Sequence, residues 1–147
     1  MEIDRSGMEV LSREASLRLL AGVPVGRVVV SEQALPVAFP VNFALLDGDV
    51  VFRTSTGSKL GAAVHKAVLA FEADCIDPDR CTGWSVLVQG WASLITRPDE
   101  IARAEALGLH SWAPGTRGHF VRIHSEMVSG RRLLGAQAGS FAGVGCG

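Results

Sequence analysis

Residues 36–54 constrain the fold most tightly. Pro36 to Leu46 alternates, with Val37, Phe39, Val41 and Phe43 set against smaller or polar neighbours. Asp47-Gly48 follows, and Asp49 to Thr54 returns as a second β-rich run. An Asp-Gly pair between alternating runs predicts a two-residue hairpin, because both central positions of a type I′ turn need positive φ. Antiparallel β structure is therefore built in locally. Pro40 inside the first run demotes that stretch to an edge, a bulge or a place where the ladder opens, since proline cannot donate to a ladder.

The flanking sequence extends the pattern. Val25 to Val30 and Val68 to Asp74 read as strands, and Trp84 to Thr96 as a long strand interrupted at Gly90. His119 to His124 is a final strand, and Cys75 to Gly83, with Asp77-Pro78-Asp79, is a loop. Three modest helices are expected. One is capped by Ser12 and has Leu17, Leu20 and Ala21 on one face. One runs from Ser58 or Lys59 to about Lys66, and one from Pro98 to about Leu107, ended by Gly108. Short strands, tight turns and few helices predict a mostly β domain, a barrel or strongly bent sheet with peripheral helices. Residues 1–134 form the domain, and 135–147 read as a flexible Gly/Ala-rich tail.

Composition narrows the function classes. The chain has 147 residues, 48% hydrophobic and 20% charged, which suits one packed core. Fourteen Lys+Arg against fifteen Asp+Glu leave a formal net charge of -1, so bulk attraction to nucleic acid or anionic membrane is not expected. No apolar run has the length of a membrane helix, and no signal-peptide plan is visible, so a cytoplasmic protein is expected. Cys75, Cys81 and Cys146 form no CxxC pair and match no common zinc spacing. Neither a disulfide framework nor a metal site is expected, and Cys75 and Cys81 read as free thiols.

The segment from Arg53 to Leu60 carries the chemistry. A strand ends on Arg53, the hydroxyl-rich loop Thr54-Ser55-Thr56-Gly57 follows, and a helix opens at Ser58-Lys59. Helix starts present unpaired N–H groups and partial positive charge, which makes them anion sites. Arg53 and Lys59 add full charges, and Thr54, Ser55 and Ser58 add hydroxyl donors. The alternative is a solvated strand-end arginine beside an ordinary serine cap. The GxxxxGK[ST] order of a nucleotide-binding P-loop is missing.

The chain also resembles the pyridoxamine 5′-phosphate oxidase-like group of flavin-binding split barrels, in its small actinobacterial-type branch. The resemblance rests on Pro40-Val41-Asn42-Phe43, Asp47-Gly48, Val51-Phe52-Arg53-Thr54, Gly57-Ser58-Lys59-Leu60, Val68 to Glu72 and Gly83 to Gly90, in that order. A Val128-Ser129-Gly130-Arg131-Arg132 ending completes it. It implies a split barrel of about six antiparallel strands that forms a homodimer, with FMN in a groove between subunits. It further implies that Arg53, Thr54, Ser58 and Lys59 hold the flavin phosphate and that backbone groups of Val41 and Asn42 face the ring. Trp84 and Ser85 would contribute to the groove, in part from the partner subunit.

The activity implied is that of an FMN-dependent oxidoreductase on a small organic substrate. A flavin-storage protein and a reductase using a deazaflavin cofactor are the alternatives. The Gly/Ala-rich ending departs from the arginine- and histidine-bearing ending of true vitamin B6 oxidases. No catalytic dyad is visible. His65, His119 and His124 read as structural or surface groups, and Arg131-Arg132 as a solvated pair. Phe39, Phe43 and Phe52 read as core, and Trp112 as a core, interface or stacking residue. Trp84 and Trp91, seven apart in one strand, point to opposite faces.

Overall fold

In a computed structural model, residues 1–55, 60–61, 64, 67–109 and 118–135 are described. The hairpin forms as its sequence demands. Strand β4 (Leu35–Leu46) turns at Asp47 (φ 52°) and Gly48 (φ 83°) into β5 (Asp49–Thr54). Val50 and Phe52 point into the main core, while Val51 joins a second cluster on the opposite face.

The strands before the hairpin are β1 (Glu2–Ile3), β2 (Glu9–Leu11) and β3 (Val25–Glu32). Those after it are β6 (Val68–Asp77), β7 (Thr82–Leu94), β8 (His119–Ile123) and β9 (Met127–Leu134). Their order is β1-β2-β9-β7-β6-β3-β4-β5-β8, and β7 also pairs with β8. That last pairing closes β7-β6-β3-β4-β5-β8 into an antiparallel barrel of six strands, as the family resemblance implies, with β9, β2 and β1 as a flank.

Two long strands make the closure possible by changing partners. β4 pairs with β3 over Leu35 to Asn42 and with β5 over Phe43 to Leu46. β7 pairs with β9 as far as Gln89 and with β8 from Ala92. Gly90 lies at the second exchange, where a methyl group would collide with the His124 carbonyl oxygen. The β6 register runs unbroken past it, so this glycine marks a close crossing and not a bulge.

Ser12 caps helix α1 (Arg13–Leu20) by accepting the Ala15 N–H at 3.1 Å, and fully buried Leu20 packs into the barrel core with Phe43 and Phe71. Helix α2 (Pro98–Glu105) starts on its proline and covers a smaller cluster of Leu46, Val51, Ile95, Ala104 and Phe120. Leu60 and Gly61 are helical. Ser58, Lys59 and most of the helix expected there lie outside the described residues, as do Trp112 and residues 136–147 of the expected tail.

Three expectations are corrected and one is extended. The loop over Cys75 to Gly83 shrinks to a tight turn, because Ile76↔Gly83 and Asp77↔Thr82 continue the ladder. There the Asp77 carboxylate accepts the N–H groups of Asp79 and Arg80, each at 3.1 Å. His119 to His124 is not the last strand, since β9 follows and pairs with both β7 and β2. Arg131 and Arg132 are solvent-accessible as expected but not free, because they bridge to Asp4 at 3.0 Å and Glu9 at 3.3 Å. Cys75 is a free thiol, but Cys81 is disulfide-bonded.

Candidate functional site

The partner exchange in β4 opens a fork. Continuing the β4–β5 register one step beyond Phe43↔Phe52 would place Asn42 opposite Arg53, and the next step Val41 opposite Thr54. β5 instead follows β8 through Arg53↔Phe120 and Thr54↔His119, while β4 stays with β3. Val41, Asn42, Arg53 and Thr54 therefore surround the point where two strands of the barrel part.

Antiparallel pairs alternate between hydrogen-bonded and non-bonded, so alternate residues aim their backbone groups at opposite edges. The two-residue turn makes Leu46↔Asp49 a bonded pair, so even-numbered residues of β4 face β5. Consistently, Phe43 donates its N–H the other way, to the Pro24 carbonyl at 3.1 Å. Pro36 and Pro40 are even, so their missing N–H groups cost the β3 ladder nothing, which explains their place in an edge stretch. The same parity sends the backbone of Val41 to β3 and that of Asn42 toward the fork. Val41 also buries its side chain in the barrel core.

Arg53 dominates the electrostatics of the fork. Its guanidinium lies over the Phe120 ring, 5.1 Å from the centroid, a favourable cation–π contact. Its Nε is buried and has no hydrogen-bond partner. A buried donor on a charged group is costly to leave unsatisfied, and a planar fork of donors suits a phosphate. The strand end carrying it is fixed. Thr54 is buried and donates its hydroxyl to the His119 carbonyl at 3.4 Å, and Gly118 crosses so closely that a methyl there would overlap the Thr54 carbonyl oxygen. These residues fit an anionic group entering from outside.

Trp84 and Ser85 are not brought to the fork within one chain. They sit in the part of β7 paired with β6 and β9, far along the strand from the Ala92–Leu94 stretch that meets β8. Trp84 packs on the barrel core, whereas Trp91 is 51% exposed on the other face, as their spacing predicts.

Sequence reasoning missed a charged cluster beside the fork. Arg27 on β3 lies between Pro40 and Glu72 in the ladder and pairs with Glu72 at 3.3 Å and Asp74 at 3.8 Å. Burial and the adjacent Asp74 carboxylate push Glu72 up to about 7, and Arg27 only partly offsets this. The available signal was one basic and one acidic residue, each inside an apolar β run. His124 lies in the β8–β9 connection, 3.1 Å from the Ser93 hydroxyl and 3.6 Å from Asp49. His65 lies outside the described residues, and no metal-holding cluster occurs among those described. Among the described residues no helix is long and apolar enough to cross a membrane.

Comparison with known proteins accords with this geometry. Residues 12–132 match the family model described as pyridoxamine 5′-phosphate oxidase. An uncharacterized protein of Mycobacterium tuberculosis, Rv0080, is 42% identical over 129 residues, covering 84% of each chain. The solved FAD binding protein from Mycobacterium smegmatis is 34% identical, with a TM-score of 0.74 over 84% of this chain and 97% of that one. A conserved protein of unknown function from Corynebacterium diphtheriae is 35% identical, with a TM-score of 0.73 over 86% of this chain and 98% of that one. A partner-switching barrel with an anion-ready arginine at its fork, and a match across most of its length, make this chain a member of the pyridoxamine 5′-phosphate oxidase family.

Proposed function

We propose that this protein is a cytoplasmic, homodimeric, FMN-dependent oxidoreductase acting on a small organic molecule. The observation that carries the proposal is the buried, unpartnered Nε of Arg53 at the fork of β4 and β5. Arg53 and Thr54, with Ser58 and Lys59, would hold the phosphate on the ribityl chain. Asn42 would line the ring, whereas Val41, whose backbone turns to β3 and whose side chain is in the core, would only support that strand from behind. Trp84 and Ser85 of the partner subunit would complete the groove, which accounts for their distance from the fork within one chain.

Bound flavin would supply hydride and electron transfer, so the protein's share is to bind the ring, orient it and limit water around it. This division of labour suits a fork where no acid–base dyad is found among the described residues. FMN and FAD both carry a phosphate on the ribityl chain, so the arginine serves either. The M. smegmatis relative is an FAD binding protein, which makes the identity of the bound flavin the first point to test.

The test is the visible spectrum of the purified chain, followed by chromatography of the released cofactor and anaerobic reduction with NADH or NADPH. Retained FMN that is reduced supports the proposal. Retained FAD keeps the site and replaces the cofactor. Retained flavin that no reductant reaches favours storage. A protein that retains neither FMN nor FAD, but retains a deazaflavin cofactor, overturns the FMN reading.

A further inference from the structure

β4 has a second open edge, on the opposite side from the fork. Register with β3 continues to Val25↔Asn42, and one more step sets Pro24 opposite Phe43. Phe43 donates to Pro24, but proline has no N–H to return the bond, so the Phe43 carbonyl receives none from its register partner. The next odd residue, Leu45, aims its N–H and C=O at the same edge. Its register partner would be Gly22, where the chain is still leaving α1 through the bonds of Gly22 to Leu19 and Val23 to Leu20. Among the described residues, no hydrogen bond from the Leu45 N–H toward that edge is found.

These backbone groups line a cavity of about 430 Å³, walled by Leu20 to Pro24 and by Phe43 to Leu45. Its side chains are apolar, so its polar groups are backbone ones, from the β4 edge and from the chain leaving α1. An apolar cavity with a few convergent polar groups is the usual form of a small-molecule site. The edge presents an acceptor at Phe43, then a donor and an acceptor at Leu45. The N–H and C=O of Leu45 face one edge side by side, and a cis secondary amide, which turns its N–H and C=O to the same side, complements that pair as a trans amide cannot.

We propose that this cavity is a second ligand site, for a small, mostly apolar molecule carrying a secondary amide, of the lactam class. The amide N–H donates to the Leu45 carbonyl and its oxygen accepts from the Leu45 N–H, while the ring fills the space between Val23 and Phe43. The site is separate from the flavin fork, since odd residues of β4 form it and even residues face the fork. An occupant would pin the same strand from its other edge.

The experiment uses the ¹⁵N-labelled full chain titrated with ε-caprolactam, and with cycloheptanone as a ring of equal size lacking the N–H. Caprolactam is expected to move the Leu45 amide resonance and slow its hydrogen exchange, and to bind roughly tenfold more tightly than cycloheptanone. Ala21→Trp, which fills the cavity from the end of α1, is expected to weaken caprolactam at least about tenfold in a protein with an otherwise native spectrum. Val23→Phe serves the same purpose should Ala21→Trp fail to fold. Equal binding of the two rings would overturn the amide assignment. No response at Leu45 up to millimolar caprolactam, or binding unaffected by the filled cavity, would overturn the site.

Discussion

At the turn end of the β4–β5 hairpin, Arg122 donates to Asp49 at 2.8 Å, with only 15% and 18% of the two side chains exposed. Asp49 also accepts the Ser125 N–H at 2.9 Å, and the Ser125 hydroxyl donates to the Gly48 carbonyl at 2.7 Å. Arg103 from α2 clasps Asp47 at 2.8 Å. At the fork end of the same hairpin, Arg53 has an aromatic ring beneath it and a buried Nε without a partner. Both arginines project from barrel strands at the margin of the core. One is satisfied by carboxylates supplied by the chain, and its role is exhausted by the fold. The other is positioned by the fold with a buried Nε that has no partner among the described residues, and this supports the proposal that it meets an anion from outside.

Breaking the satisfied end should cost the most stability. Arg122→Ala leaves Asp49 mostly buried without its cation, and urea denaturation should show a loss of about 3 kcal/mol. Flavin affinity should be unchanged. Gly118→Ala forces a methyl group against the Thr54 carbonyl, so a loss of about 1–3 kcal/mol is expected from overpacking. Because the displaced backbone belongs to the residue after Arg53, this variant should also weaken flavin binding, as a fluorescence titration would show. Arg53→Ala should change stability by no more than about 1 kcal/mol, the scale of its contact with Phe120. A larger loss would mean that Arg53 is structural after all and would erase the contrast between the two ends.

The smallest effect concerns the charged cluster beside the fork. The folded-state pKa of Glu72 is raised from 4.5 to about 7, so the folded protein binds more protons than the unfolded chain between those values. Stability from this group is therefore present at low pH and lost as pH rises from about 4.5 to 7. Glu72→Gln removes the titration and should flatten that part of the stability profile. Arg27 and Asp74 are the charged neighbours that set the shift, and Arg27→Gln should steepen it.

The comparison also separates what the sequence discloses from what it conceals. The hairpin, the edge character of Pro40 and the strand-end position of Arg53 are local patterns, legible because turn chemistry and alternation act over a few residues. The polar lattice at the turn was invisible, since Asp49 meets Arg122 and Ser125 across 73 and 76 positions. β9 escaped notice for a related reason. Its Gly130 and two arginines interrupt any apolar alternation, but a methyl at Gly130 would press on Ser16 and Leu11, and the arginines meet acids of the N-terminal segment. The opposite edges of β4 became apparent only from register, which fixes where each backbone group points.

The central claim is that Arg53 is held for a phosphate. Its most direct test is fluorescence titration of the native protein and of Arg53→Ala with FMN and with riboflavin, the same ring system without the phosphate. The native protein should prefer FMN by roughly tenfold or more, as charge-assisted bonds contribute about 1.5–3 kcal/mol each. Arg53→Ala should lose most of that preference while binding riboflavin as before. Equal affinity of the native protein for the two ligands, or an undiminished preference in Arg53→Ala, would contradict the claim.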